Sequence, residues 1–180
     1  MAPVSLTTDR TELRPLTAAD VDAAHALWID PAMRRHLWDD VVIARQTAAD
    51  VLAASDADFL RLGFGIWGVY DRASGALAGF CGCRAPREQG PELMYGLLPE
   101  WWGQGLAVEA ATAVLDHVFV SLGYPEVVAA TDPPNSGSVR VMEKLGMTFV
   151  RHGEINGLDT VFYRLSRERW MRRRAVMHRA

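Results

Sequence analysis

Apolar and polar positions change period several times along the chain, and each change marks an element. "TELRPL" at 11–16 alternates and stops at a proline, which predicts an opening strand. In "TAADVDAAHALWID", Val21, Ala24, Leu27 and Trp28 fall on one helical face, and Thr17 suits the N-cap. Pro31 starts a second short helix through Trp38, and a third runs near 44–55. The period then shortens. "FGIWGVYD", "ALAGFCGCRA" and "ELMYGLLP" read as three antiparallel strands, with "DRASG" as a compact turn between the first two. A strongly apolar helix follows over 105–122 and is ended by Gly123 and Pro125. "EVVAAT" is a buried strand, and "NSGSVRVMEKLG" is a helix capped by Asn135 and left at Gly146. "MTFVRH" and "TVFYRL" close the chain as a strand pair around "GEINGLD". The order predicts one α/β (α+β) domain over residues 1–180, a mixed sheet flanked by helices, with no repeat or linker.

Composition narrows the function classes. With 180 residues and 49% apolar content, the chain can bury a real core. A net charge of −3 argues against a general nucleic-acid binder, whose surface needs a basic excess. Basic residues do gather in a C-terminal tail from about 166 to 180, which reads first as a solvated terminal helix. Cys81 and Cys83 are the only cysteines; residues i and i+2 of one strand do not bridge readily, and no cluster completes a zinc site. They read as small core residues in a reducing compartment. Without a signal segment or a long apolar run, the expected location is cytoplasmic, with no membrane contact and no metal.

Two glycine clusters compete as phosphate sites. "GFGIWG" at 63–68 matches a dinucleotide fingerprint letter for letter, but it leads into a strand. The fingerprint needs a helix whose N-terminal amides receive the phosphate, so close strand packing explains this cluster better. "WWGQGLA" has the required context: the strand ends at Pro99 and a helix begins within the glycines. Gly103 and Gly105 let backbone approach a ligand, and the unpaired amides of residues 103–108 face an anion with help from the helix dipole.

The strand "ELMYGLLPEWW", the loop "GQGLAVEA" and the segment "NSGSVRVMEKLGM", in this order, resemble the Gcn5-related N-acetyltransferase (GNAT) superfamily. The opening "LRPLTAADVDA" extends the likeness to its RimJ/RimL-like, ribosomal-protein-alanine acetyltransferase branch, over almost the whole chain. The resemblance implies a mostly antiparallel sheet whose cofactor strand splays from "EVVAAT", leaving a V-shaped slot for acetyl-CoA. It implies that the pyrophosphate sits on Gly103, Gln104, Gly105, Leu106, Ala107 and Val108, and that pantetheine pairs with the backbone of Tyr95, Gly96 and Leu97. Trp102 stands where many members have Gln or Arg, which leaves the backbone amides untouched.

The implied reaction is direct attack of a neutral amine on the thioester, aided by an oxyanion donor and a proton for the departing thiolate. Ser138, in the N-x-x-S pattern from Asn135, is the candidate acid; one turn on, where many relatives have tyrosine, this chain has Met142. Asn135 is a cap and, by resemblance, a cofactor or water contact. The expected base position, a late strand carboxylate, holds Ala130; Glu92, working through a water, is the alternative. An α-amino group, with pKa about 7.7–8.0, lessens the need for a strong base. The acceptor amine, a protein N-terminus or a small molecule (drugs included), is expected near Trp28, His36 and Trp38. Members of the superfamily are often homodimers. A non-catalytic acyl-CoA-binding sensor is the rival from another class.

Overall fold

The computed structural model describes residues 4–85 and 90–177. Among these residues eight strands form one sheet: β1 (Leu6–Thr7), β2 (Thr11–Pro15), β3 (Ile66–Asp71), β4 (Leu77–Arg84), β5 (Glu92–Leu97), β6 (Glu126–Thr131), β7 (Thr148–Ile155) and β8 (Leu158–Ser166). Their spatial order is β1-β2-β3-β4-β5-β6-β8-β7. Every pairing is antiparallel except β5 with β6, which run parallel. This is the mostly antiparallel mixed sheet that the sequence predicts. Strand β1 is an addition, too short to show a period.

Among the described residues six α-helices cover the two faces: α1 (Val21–Trp28), α2 (Pro31–Leu37), α3 (Arg45–Leu62), α4 (Leu106–Asp116), α5 (Ser136–Leu145) and α6 (Arg167–Met177). Alternation along the strands divides the core. On one face Phe80 and Ile66 pack with Leu27, Trp28 and Leu52 of α1 and α3. On the other, Cys81, Cys83, Leu93 and Leu97 pack with Ala111, Val114 and Leu115 of α4, Met142 of α5 and Trp170 of α6. Both cysteines are free and buried.

Local chemistry sets the helix boundaries. Thr17 and Asp20 form a reciprocal capping box ahead of α1. Helix α3 runs well past the expected 55, because Ser55 and Phe59 still face the core, and it stops at Gly63 in the left-handed conformation. The apolar helix expected to 122 is α-helical to Asp116 and then widens into a π turn over His117–Ser121. There the buried His117 ring shares a hydrogen bond of 2.8 Å with the carbonyl of Gly63. Gly63 of "GFGIWG" thus ends a helix and Gly68 lies inside β3, so this cluster opens no helix.

The basic tail is docked, not simply solvated. Trp170 is fully buried and donates its indole N–H to Asp116 at 2.9 Å. Arg167 and Arg169 donate to the carbonyls of Phe119 and Gly146, at 2.8 and 2.7 Å, and Arg173 to that of Lys144. These arginines satisfy carbonyls left open where the preceding helices end. Residues 178–180 of the tail lie outside the described residues.

Candidate active site

Strands β5 and β6 touch at one ladder position among the described residues, Glu92 with Val128, and part beyond it. The Leu98 amide donates to the Ala78 carbonyl, toward β4. Alternation therefore turns the amides and carbonyls of Tyr95 and Leu97 the other way, into the opening. The carbonyl of Leu97 accepts the Trp102 indole N–H at 2.6 Å. Gly96 lies under α2, where any Cβ would collide with the Met33 side chain and crowd Phe80. A residue with a side chain there has to displace the end of the Met33 side chain.

The opening leads to the head of α4. Gly105 is its N-cap, with φ of 80° and no side-chain cap, and Gly103 has φ of 74°. Among the described residues, the amides of Gly103, Gln104, Gly105, Leu106, Ala107 and Val108 have no protein acceptor; the first bond back is from Glu109 to Gly105. A strap holds this loop from outside. Glu109 accepts from Thr8 at 2.6 Å, from the Arg10 amide at 2.9 Å and from Arg10 Nε at 2.7 Å. Arg10 Nη1 also donates to the Gln104 carbonyl at 2.9 Å. Burial alone raises the Glu109 pKa, but the bonds from Thr8 and Arg10 outweigh it and hold the carboxyl below its ordinary value.

Ser138 lies in the first turn of α5, where Asn135 Oδ1 accepts its amide at 3.1 Å. The Tyr95 hydroxyl crosses from β5 to meet it, donating to the Ser138 carbonyl at 2.9 Å with Ser138 Oγ at 3.0 Å. Burial pushes the Tyr95 hydroxyl above its ordinary range, against the lowering effect of Ser138, so it remains protonated. Tyr95 enters the sequence reading through its backbone alone; its phenol is a polar group that reading misses. Met142 is fully buried in the core.

Glu92 offers no free carboxylate. Both oxygens accept from Arg84, Nε and Nη2 each at 2.8 Å, at the closed end of the split. On the opposite side of the opening Trp28 is core, 1% exposed and edge-on to Phe80. Trp38 packs against Trp28 with ring centroids 6.2 Å apart, and both line a cavity of about 230 Å³ together with Phe80 and Met94. His36 reaches Asp132, just beyond β6, with Nδ1 at 2.8 and 3.0 Å from the two carboxylate oxygens.

A sheet split between two parallel strands, with a bare helix N-terminus at its mouth, is the frame of an acyl-CoA-dependent transferase. Comparison with known proteins agrees. The sequence profile of the acetyltransferase (GNAT) domain matches residues 10–148, and the chain belongs to this family. It is similar to the uncharacterised N-acetyltransferase YoaA of Bacillus subtilis, 27% identical over 81% of this chain and 83% of YoaA. An acetyltransferase structure from Agrobacterium tumefaciens superposes with a TM-score of 0.79 at 26% identity, covering 92% and 95% of the two chains. RimL, a ribosomal L7/L12 α-N-protein acetyltransferase solved with coenzyme A, shares the fold with a TM-score of 0.76 at 19% identity, covering 91% and 98%. The chain is therefore an N-acetyltransferase, of a fold that uses acetyl-CoA. No helix among the described residues is long and apolar enough to cross a membrane, and no group of metal-binding side chains is found among them.

Proposed function

We propose that the chain is a single N-acetyltransferase domain of the RimJ/RimL-like branch, acting in the cytoplasm. Its acceptor is a primary amine, either the α-amino group of a protein N-terminus or an amine of a small molecule. The observation that carries this reading is the run of six amides without acceptors, Gly103 to Val108, opening off the β5–β6 split. Hydrogen bonds to a charged group are worth about 1.5–3 kcal/mol each, so several such amides converging on a diphosphate form a strong grip. The Tyr95 carbonyl and the Leu97 amide, which face the opening, suit the amides of a pantetheine arm.

Bound acetyl-CoA supplies the activated carbonyl. The Tyr95 amide, turned into the split, is placed to donate to the oxygen on which charge develops. The Ser138 hydroxyl gives its proton to the departing sulfur. The Tyr95 phenol, its own proton spent on the Ser138 carbonyl, fixes the serine in place. Asn135 holds the turn that carries Ser138. The acceptor enters on the side of α1 and α2, past Trp38 and His36.

Thiol release from acetyl-CoA across a panel of free α-amine peptides and small amines, beside their Nα-blocked forms, tests this reading. Release is expected with free amines only. Gly105→Val, which places a β-branched residue at positive φ, is expected to weaken acetyl-CoA binding by at least about tenfold, or about 1.4 kcal/mol. Unchanged affinity removes the loop assignment, and binding without turnover of any amine favours an acyl-CoA sensor.

A further inference from the structure

Ala130 leaves the position of the expected carboxylate empty, and Glu92 is occupied by Arg84. Neither position presents a free carboxylate to an acceptor amine. Side-chain alternation sends Val127 and Ala129 of β6 into the core beside α4, so Val128, Ala130 and the following Asp132 turn to the face of α1 and α2. Asp132 thus shares the face on which Ala130 is silent. Counting on from the parallel pair of Glu92 with Val128 sets Asp132 level with Gly96, across the split.

Helix α2 spans the split at that level. Met33 closes on Gly96 of β5, and His36, one turn later on the same side of the helix, reaches Asp132 beyond β6. The contact is made through Nδ1, at 2.8 Å. A neutral imidazole that donates Nδ1–H to the carboxylate carries its lone pair on Nε2. Among the described residues Nε2 of His36 has no partner, and the side chain is 28% exposed. Asp132 is the charged group in contact with the ring, and Thr131 Oγ1 donates to the same carboxylate at 3.2 Å. Arg35 and the Arg34–Asp40 pair flank His36 along its own helix and the following turn.

We propose that His36 is the general base of the transfer, with Asp132 as its positioning residue. This assignment rests on the acetyl-transfer reading and completes it. As the C–N bond forms and the C–S bond breaks, Nε2 of His36 accepts the proton that the amine loses. Ser138 supplies the proton that the sulfur gains, from the opposite face of the sheet. His36 then releases its proton to solvent and Ser138 takes one back from solvent, so the protons balance.

The test measures kcat/KM against pH for wild type, His36→Gln and Asp132→Asn with one amine that the wild type acetylates, beside calorimetric acetyl-CoA affinity and thermal midpoints. His36→Gln is expected to lower kcat by about 100-fold. Its rate rises continuously with pH as the free amine fraction grows, without the acid limb of the wild type, while acetyl-CoA affinity is unchanged. Asp132→Asn is expected to lose about tenfold and to move that limb, because it frees the tautomer. Added imidazole is expected to restore part of the activity of His36→Ala. A folded His36→Gln that keeps wild-type kcat/KM and its pH profile overturns the assignment while leaving acetyl transfer intact. A wild type that binds acetyl-CoA and acetylates no amine overturns both.

Discussion

At the residue scale, the proposed acid, Ser138, is held in place by the Tyr95 phenol. Ser138→Ala is expected to lower kcat by about 100-fold, the lower range for a positioned proton donor, while acetyl-CoA affinity holds; wild-type turnover in that variant removes Ser138 as the acid. The pair also shows where sequence reading stops. Asn135 and Ser138 are neighbours in sequence, so their pattern is legible and the cap bond follows from it. Tyr95 meets Ser138 across 43 positions and His36 meets Asp132 across 96, and no local pattern encodes either meeting. The chain can be read for what a residue's own turn or strand demands. It is silent on which side chains a sheet opening brings opposite each other.

At the element scale, the strap from β1–β2 to α4 fastens the loop that opens the helix. Glu109 has a depressed pKa in the fold, so its contribution to stability is present above the unfolded carboxylate range and is lost as pH falls through the folded value. Glu109→Gln is therefore expected to be less stable than wild type at neutral pH, with the two curves converging in acid. Urea midpoints from pH 7 down to the acid limit check this, and an acid slope equal to that of wild type contradicts it. The elements themselves were mostly legible, because Thr17, Asn135 and Gly146 carry cap chemistry and the strands change period cleanly. The extension of α3 is not, since Asp56, Asp58 and Arg61 interrupt the apolar residues of its last turns, and tertiary burial of Ser55 and Phe59 carries the helix on. Strand β1 pairs with its neighbour β2 but is too short to show a period, and the docking of α6 by Trp170 depends on Asp116, far back along the chain.

At the scale of the whole molecule, donor and acceptor in the proposed reaction lie on opposite faces of one gap in the sheet, and direct transfer across it needs both substrates at once. Burial pushes the thiols of Cys81 and Cys83 far above their ordinary range and seals them from solvent, so neither serves as an acetyl carrier. Initial rates at varied acetyl-CoA and amine are expected to give intersecting lines, and intact mass is expected to stay unchanged with acetyl-CoA alone. Parallel lines with an acetylated chain contradict direct transfer. The gap has a further cost for the molecule. A strand edge with unpaired amides and carbonyls is a template on which other chains aggregate, and most sheets keep such edges at their margins. This one lies in the middle of the sheet, with α2 seated on Gly96 and the Trp102 indole capping the Leu97 carbonyl. The two act as a chaperone built into the fold, shielding a seam that the protein cannot stitch closed without losing its use.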